Sequence, residues 1–227
     1  MIEIAQQAKR SDGQIVRPLN WRRQLQYKGA LKRVFDLALC LILIPVICPV
    51  ILFLYLLALR DGGPGFFGHW RCGHNGRAFQ CLKIRTMVPD AERRLESMLL
   101  QHRDLRQEWS RSQKLRVDPR VTPLGRVLRK TGLDELPQIW NVIRGDMSLI
   151  GPRPVTEQEL ERYGRDRAAY VDVRPGITGL WQVSGRNDLS YLQRIRLDRN
   201  YAENLSFQLD MRILLKTFGA IWQRTGC

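Results

Sequence analysis

The sequence lacks the features of a secreted, disulfide-bonded protein. Its five cysteines are an odd number, and two of them, Cys40 and Cys48, lie in an apolar run where no disulfide framework is expected. The N-terminus does not read as a signal peptide, because the hydrophobic run begins late and no small-residue cleavage site follows it. These absences predict a reducing compartment.

Acidic residues are also scarce. The 227-residue chain has 22 aspartates and glutamates against 37 lysines and arginines, which gives a formal net charge of +15. A surface of that charge attracts phosphates, as in nucleic acid, anionic lipid or nucleotide-like substrates. The ordinary hydrophobic content excludes a disordered chain and a polytopic membrane protein. The length predicts one or two domains with a substantial core.

Two familiar classes of binding motif are missing. The glycine-rich segment from Arg174 to Arg186 has neither the lysine and serine or threonine that end a Walker loop nor the glycine spacing of a dinucleotide fingerprint. Its glycines would still let backbone amides approach an anion closely. Zinc is not expected, because no standard finger spacing is matched by His69, Cys72, His74 and Cys81.

The longest apolar stretch runs from Leu37 to Leu59 and contains no charged residue. A straight helix of this length could just cross a bilayer. Pro45 and Pro49 interrupt it, however, and basic residues flank both ends, which the positive-inside rule places on the cytoplasmic side. We therefore predict a re-entrant membrane helix over residues 29–60 that is broken at Cys48 and Pro49. A plain transmembrane helix is the alternative.

The chain divides into three parts. Residues 1–28 form a polar, basic tail without a sustained hydrophobic period, which is either mobile or a surface helix on the membrane. The proline-broken membrane helix follows over residues 29–60. Residues 61–227 predict a small α/β domain that is mostly α-helical and carries amphipathic helices on its surface.

Within this domain, several elements have clear signals. Short strands joined by a turn are predicted over residues 66–71 and 78–85. Helix-forming residues from 89 to about 114 predict a surface helix or a helix pair. A capping box over Thr156–Glu159 predicts a helix start. Apolar residues at helical spacing after residue 206 predict a last helix, which either covers the core or lies on the bilayer.

Asp134 and Glu135 are adjacent carboxylates directly after Arg129 and Lys130. One interpretation is structural: Asp134 would cap the start of a helix, and Glu135 would be a solvated acid near the positive end of its dipole, with Pro137 in the first turn. The other interpretation is a functional acid pair. The rest of the chain favours the second.

Basic side chains at defined positions indicate phosphate binding. Arg153 lies between Pro152 and Pro154, which brace its backbone in an extended conformation and suit it to bidentate contact with phosphate oxygens. Lys83 and Arg85 alternate with apolar residues, so they share one face of a predicted strand. That face is either solvated or a phosphate-binding edge.

Together these motifs resemble the bacterial polyprenyl-phosphate hexose-1-phosphate transferases, which are monotopic phosphoglycosyl transferases. The resemblance runs from Lys32 to about Trp222. It is carried, in order along the chain, by the segments Lys83–Met87, Asp118–Thr122, Leu133–Gln138, Asn141–Ser148, Gly151–Pro154 and Arg174–Gly179. The segments Asp61–Gly65 and Gly68–His69 also resemble the undecaprenyl-phosphate galactose phosphotransferases of exopolysaccharide and O-antigen synthesis. Cys48 departs from the family, which usually has serine before the helix-breaking proline.

The resemblance implies a two-step phosphoryl transfer. Asp134 would attack the β-phosphate of a UDP-sugar, UMP would leave, and polyprenyl phosphate would then take the sugar phosphate from the aspartyl intermediate. Because the transferred group is heavily anionic, the family likeness implies Mg²⁺ held by Glu135 and Asp134. The expected substrate-binding and phosphate-binding residues are Lys83, Arg85, Arg129, Arg153, Arg174 and Arg186.

The implied partners are a UDP-sugar, undecaprenyl phosphate and the membrane, with a homodimer expected from the family likeness and no nucleic acid. The implied location is the bacterial inner membrane, with the catalytic domain on the cytoplasmic face. UDP-glucose in place of UDP-galactose is the alternative donor. A membrane-tethered protein that binds nucleic acid or another anionic ligand without catalysis is the alternative class. A phosphatidyl-group transferase is disfavoured, because its aspartate-rich metal motif is absent.

Overall fold

The computed structural model describes residues 27–112, 115–185 and 189–222, with side chains omitted at 111–112 and 220–222. The predicted basic tail therefore lies almost entirely outside the described residues. Within them, the chain forms many helices and two separate two-stranded sheets. This confirms a mostly α-helical domain with a small β content.

The apolar stretch forms helix α1, Lys32–Leu59, after a π-helical turn at Tyr27–Leu31. The α-helix continues through both Pro45 and Pro49. By length and composition, the segment Tyr27–Leu59 is the one helix in the described part of the chain that could cross a membrane, and little of its most apolar part is buried. The membrane helix thus has the predicted extent, and its break at Cys48 and Pro49 and its re-entrant path stay predictions.

Both ends of α1 pack against the same domain. Near its start, Asp36 is buried and its carboxylate accepts a 3.2 Å hydrogen bond from the amide of Leu149. Near its end, Leu54 and Ala58 join a buried cluster with Ile84. The domain therefore contacts α1 near both of its ends.

A β-hairpin follows α1 and confirms the predicted strands. Strand β1, Phe66–Cys72, pairs antiparallel with β2, Ala78–Ile84, in a register that places Phe67 opposite Lys83 and His69 opposite Cys81. The connecting turn contains Asn75 in the left-handed region, with a φ of 57°. This conformation is one that asparagine tolerates better than most residues.

Three helices lead to the acid pair. The predicted helix pair is α2, Ala91–Gln101, and α3, Arg103–Ser112, and it is followed by α4, Pro123–Thr131. Helix α4 begins at a Thr122 cap, whose hydroxyl accepts a 3.0 Å hydrogen bond from the amide of Gly125. It ends at Gly132, which has a φ of 73°. A glycine in this conformation is a common helix stop.

A short 3₁₀ turn, Leu133–Glu135, carries the acid pair between α4 and helix α5, Gln138–Arg144. The residue that caps α5 is Pro137, which makes no side-chain capping bond. The structural interpretation of Asp134 as a helix cap is therefore wrong, because the chain makes a separate turn before α5 begins.

The C-terminal half packs around a two-stranded parallel sheet. Strands β3, Ser148–Ile150, and β4, Gly176–Thr178, form this sheet. The remaining helices are α6, Glu157–Glu161, α7, Arg167–Val171, α8, Tyr191–Glu203, and α9, Phe207–Trp222. The capping box predicted at Thr156 and Glu159 is present with both of its hydrogen bonds.

Helix α9 has one buried face and one exposed apolar face. Asp210 and Ile213 are fully buried. Phe207, Leu215 and Phe218 are exposed large apolar side chains on the same helix. The interpretation of this helix as a cover for the core is therefore confirmed, and its contact with a bilayer stays a prediction.

Candidate active site

Asp134 and Glu135 lie against β2, the hairpin strand that carries Lys83. Asp134 is buried, with 6% of its surface exposed. The Lys83 ammonium on β2 lies 2.7 Å from Oε1 of Glu135 and 3.8 Å from Oδ2 of Asp134. The structure thus places Lys83 beside both acids, and its contact with phosphate stays a prediction.

The surroundings of Asp134 change the pKa of its carboxyl. Burial raises the pKa of the Asp134 carboxyl above its usual value, and the neighbouring Glu135 charge raises it further. The cations Lys83 and Arg129 oppose this rise. A partly desolvated carboxylate is a suitable nucleophile, and the flanking cations favour the ionised form that attacks.

Arg129 is placed by two contacts of α4. Its Nε donates a 2.9 Å hydrogen bond to the Thr86 hydroxyl, just beyond the end of β2. A Cβ at Gly125 would overlap the backbone of Thr86, so only glycine lets α4 approach this closely. The close approach brings the Arg129 charge within range of Asp134.

The α5 helix is tied to β2 by one buried side chain. The Asn141 side-chain oxygen accepts a 2.9 Å hydrogen bond from the Leu82 amide, and its nitrogen donates a 2.8 Å bond to the Gln80 carbonyl. Because the acid pair directly precedes α5, this clamp sets the position of the pair relative to Lys83.

Arg85 has a different location from Lys83. It is buried, and its Nη2 donates a 2.6 Å hydrogen bond to the carbonyl of Ala58 at the end of α1. Its Nη1 is buried and has no hydrogen-bond partner among the described residues. The structure therefore brings Arg85 to the end of the membrane helix.

Arg153 and Arg174 lie on the C-terminal half of the domain. Arg153 is exposed, and its guanidinium lies 5.6 Å from the centre of the Trp181 ring. Arg174 donates a 2.9 Å hydrogen bond to the Gly145 carbonyl. Arg186 lies outside the described residues. Of the five predicted cations that the structure describes, Lys83 and Arg129 are the two that act on the Asp134 carboxylate most directly.

Arg153 is nevertheless within electrostatic range of the hairpin. Burial raises the pKa of the Cys81 thiol to about 11, and the charges that act on it include Lys83, Glu135 and Arg153. Cys81 lies in the middle of β2, so Glu135 and Arg153 both act electrostatically on the same strand.

Three polar residues on this side of the domain were not predicted from the sequence. Arg71 on β1 binds Glu159 at 3.0 Å, Arg194 stacks on Trp181 with 4.9 Å to the ring centre, and Asp198 accepts a 2.8 Å hydrogen bond from the Tyr163 hydroxyl. Strand alternation could have indicated Arg71, because it shares a face with His69 and, across the hairpin, with Lys83. Nothing local marks Arg194.

The acid pair partly fits a magnesium ion. Among the described residues, no group of three or more histidine, cysteine, aspartate or glutamate side chains could hold a metal. Mg²⁺ is commonly held by one or two carboxylates together with substrate phosphates. Glu135 has a partly exposed side chain next to Asp134, so these two carboxylates are the residues that would hold such a metal.

Comparison with known proteins places this site in a family. The profile described as bacterial sugar transferase matches residues 27–224. A UDP-galactose-lipid carrier transferase from Erwinia amylovora is 50% identical over 196 residues, which is 86% of this chain and 41% of that protein. An undecaprenyl-phosphate galactose phosphotransferase from Salmonella typhimurium is 45% identical, with the same coverage of both chains.

A shorter relative is covered almost completely. The exopolysaccharide production protein ExoY from Rhizobium meliloti is 47% identical over 201 residues, which is 87% of this chain and 88% of that protein. The chain spans about two fifths of the length of the Erwinia and Salmonella relatives. The family profile covers nearly all the described residues and these identities are high, so the chain belongs to the bacterial sugar transferase family.

Proposed function

We propose that the chain transfers hexose-1-phosphate from a UDP-sugar to undecaprenyl phosphate and releases UMP. Galactose-1-phosphate is the first choice of donor group, because two of the relatives are named for galactose transfer. The reaction would be the first membrane step of exopolysaccharide or O-antigen synthesis. The observation that carries the proposal is the buried Asp134 carboxylate between Glu135, Lys83 and Arg129.

In the first step, an oxygen of Asp134 attacks the β-phosphorus of the UDP-sugar. The bond from that phosphorus to the bridging oxygen breaks, UMP leaves with the bridging oxygen, and a phosphosugar remains on Asp134. In the second step, an oxygen of undecaprenyl phosphate attacks the same phosphorus and releases the Asp134 carboxylate. In each step, the phosphorus forms one bond to oxygen and loses one bond to oxygen.

The cations of the site stabilise the negative charge of both steps. Lys83 lies close to both acids, so its positive charge can stabilise the negative charge on the carboxylate and then on the phosphate. Arg129 is fixed by Thr86 and acts on the same carboxylate. Mg²⁺ held by Glu135 and Asp134 would neutralise the charge of the diphosphate when the donor binds.

The membrane helix would hold the active site at the bilayer surface, where the lipid acceptor lies. We place the helix in the bacterial inner membrane, with the domain on the cytoplasmic face. Contacts at both ends of α1 support a re-entrant path, since a helix that crossed the bilayer would carry one end away from the domain. A bend at Cys48 and Pro49 would return the chain to the face that it entered.

The experiment is UMP release from UDP-galactose with Mg²⁺ and undecaprenyl phosphate. Wild type is compared with Asp134→Asn and with Asp104→Asn, a control that changes an exposed acid on surface helix α3. Lipid-dependent release that is lost only in Asp134→Asn supports the proposal. Full activity of Asp134→Asn would rule out the covalent mechanism on this residue.

The choice of sugar is tested by the same assay. Release from UDP-glucose and none from UDP-galactose would keep the chemistry and change the donor. Absence of release with every UDP-sugar, in folded membrane-bound protein, would favour the alternative of a membrane-tethered protein that binds anionic ligands.

A further inference from the structure

Strand β1 exposes an unusual number of aromatic side chains. Of its seven residues, Phe66, Phe67 and Trp70 are 41%, 49% and 61% exposed. Large apolar side chains that are grouped on a surface commonly mark an interaction site. The described catalytic contacts do not use Phe66 or Trp70, so the group needs another explanation.

Phe66 and Trp70 lie on the outer face of the hairpin. Successive residues of a strand point to opposite faces, so Phe66, Gly68 and Trp70 share one face. The opposite face carries His69 and, across the hairpin, Lys83. The aromatic face is therefore turned away from the acid pair.

The outer face is continuous with the end of the membrane helix. The Tyr55 ring on α1 packs on the Phe66 ring with 4.7 Å between their centres. Gly65 lies directly against Tyr55, since a Cβ at this glycine would overlap the tyrosine ring. Leu52 and Leu56, on the same end of α1, are more than half exposed. One apolar surface thus runs from the helix onto the hairpin.

We propose that the outer face of the hairpin lies in the headgroup layer of the bilayer, with Tyr55, Phe66 and Trp70 as its contacts. This rests on the membrane placement of α1 in the proposed function. Tryptophan and tyrosine favour the membrane interface, because their rings are amphipathic. Arg60, exposed at the end of α1, would contact anionic headgroups at the same level.

A lipid surface explains this face better than a second copy of the chain. The apolar side chains of α1 next to Tyr55 already need lipid around them, and the aromatic face is an extension of the same surface. A dimer through β1 would have to exclude lipid from a patch that adjoins the membrane helix. The hairpin contact would also hold Lys83, on the other face of the sheet, at a fixed height above the bilayer.

The test uses a fluorescent probe at single cysteines of the full-length protein. The background is Cys48→Ser and Cys227→Ser, since Cys40, Cys72 and Cys81 are buried. A nitrobenzoxadiazole probe is attached at Trp70→Cys. The protein is placed in vesicles of phosphatidylethanolamine and phosphatidylglycerol, with and without lipids that carry a spin-label quencher near the headgroup.

Three further positions calibrate the measurement. Phe53→Cys on α1 reports the membrane helix, because Phe53 is 60% exposed among its apolar residues. Arg94→Cys on α2 is the aqueous control. Gln80→Cys reports the same hairpin face, since Gln80 and Trp70 are paired across the strands. This variant keeps Trp70, so a folding defect of the Trp70→Cys variant would not decide the result.

We expect the quencher lipids to quench the probe at residues 70, 80 and 53 and not at residue 94. Quenching at Phe53 with residues 70 and 80 equal to Arg94 would overturn the inference and leave the membrane helix in place. No quenching at Phe53 would overturn the membrane placement itself and this inference with it. A blue-shifted probe at residue 70 that responds to protein density, and not to quencher lipids, would identify a second copy as the partner and overturn the lipid contact.

Discussion

The Lys83 ammonium donates a 2.7 Å hydrogen bond to Oε1 of Glu135. The same nitrogen is 3.8 Å from the nearer oxygen of Asp134. Lys83 is thus bound to the acid proposed to hold metal and remains within ion-pair range of the proposed nucleophile. A metal at Glu135 would compete with Lys83 for the carboxylate and would leave the ammonium free to contact the transferred phosphate.

Replacement of Lys83 by methionine should lower UMP release by about 10²-fold, because a cation aimed at the developing charge is lost from a partly buried site. The measurement is initial UMP release at saturating Mg²⁺. Lys130→Met, on the exposed side of α4, is the matched control and should keep the wild-type rate. A Lys83→Met enzyme with the wild-type rate would show that this cation does not act on the phosphate.

The pH dependence of UMP release should report the raised pKa of Asp134. Burial favours the protonated acid, which cannot attack phosphorus, so the rate should fall as pH is lowered through a pKa above that of an ordinary aspartate. Lys83→Met should move this acid limb to higher pH, since Lys83 lowers the pKa. The measurement is single-turnover release against pH. An acid limb at or below the ordinary aspartate range would contradict the assignment.

The sequence predicted the elements with strong local signals. The membrane helix, the hairpin, the pair of surface helices and the capping box at Thr156 all depend on residues that are close in the chain. The acid pair was also recognisable, because its neighbours and the other family motifs occur in a defined order. The position of Asp134 in a separate 3₁₀ turn was not predictable, since a cap and a turn use the same residue types.

The phosphate-binding residues were harder to predict for physical reasons. Lys83 and Arg85 alternate in sequence, but β2 ends at Ile84, so Arg85 is free to turn towards Ala58. Gly151 and Gly176 allow close contact between two backbone segments, and the 2.7 Å bond from the Gly176 amide goes to the Pro152 carbonyl. Such contacts join distant parts of the chain and leave no local pattern.

Asp198 should make stability depend on pH. Burial raises its pKa from 3.8 to about 7. Between these values the folded carboxyl keeps its proton while the unfolded one loses it, so the free energy of unfolding should fall as pH rises through this window. Asp198→Asn should remove that decrease when thermal unfolding is followed in detergent from about pH 4 to pH 7.

The control for this prediction is Asp104→Asn, which changes an exposed acid. Its stability should follow the wild-type pH dependence. If Asp198→Asn also follows the wild-type curve, the Asp198 carboxyl does not carry a raised pKa in the folded protein.

Gly63 should tolerate a side chain less well than Gly62, because Arg85 packs against Gly63 at the end of the membrane helix. Gly63 has a φ of 151°, and a Cβ there would overlap Nη1 of Arg85. Gly62 has a φ of 70°, but a Cβ there would meet nothing within 4 Å. Both alanine variants therefore suffer backbone strain of about 1–2 kcal/mol, and Gly63→Ala should lose a further ~1–3 kcal/mol from the overlap.

The measurement is the unfolding free energy of Gly63→Ala and Gly62→Ala in detergent, each in wild type and in an Arg85→Met background. Removal of the guanidinium removes the overlapping atom, so Gly63→Ala and Gly62→Ala should become more nearly equal in that background. This coupling isolates the contact from general effects of either substitution. If the difference between the two alanine variants is the same in both backgrounds, Arg85 does not pack against Gly63.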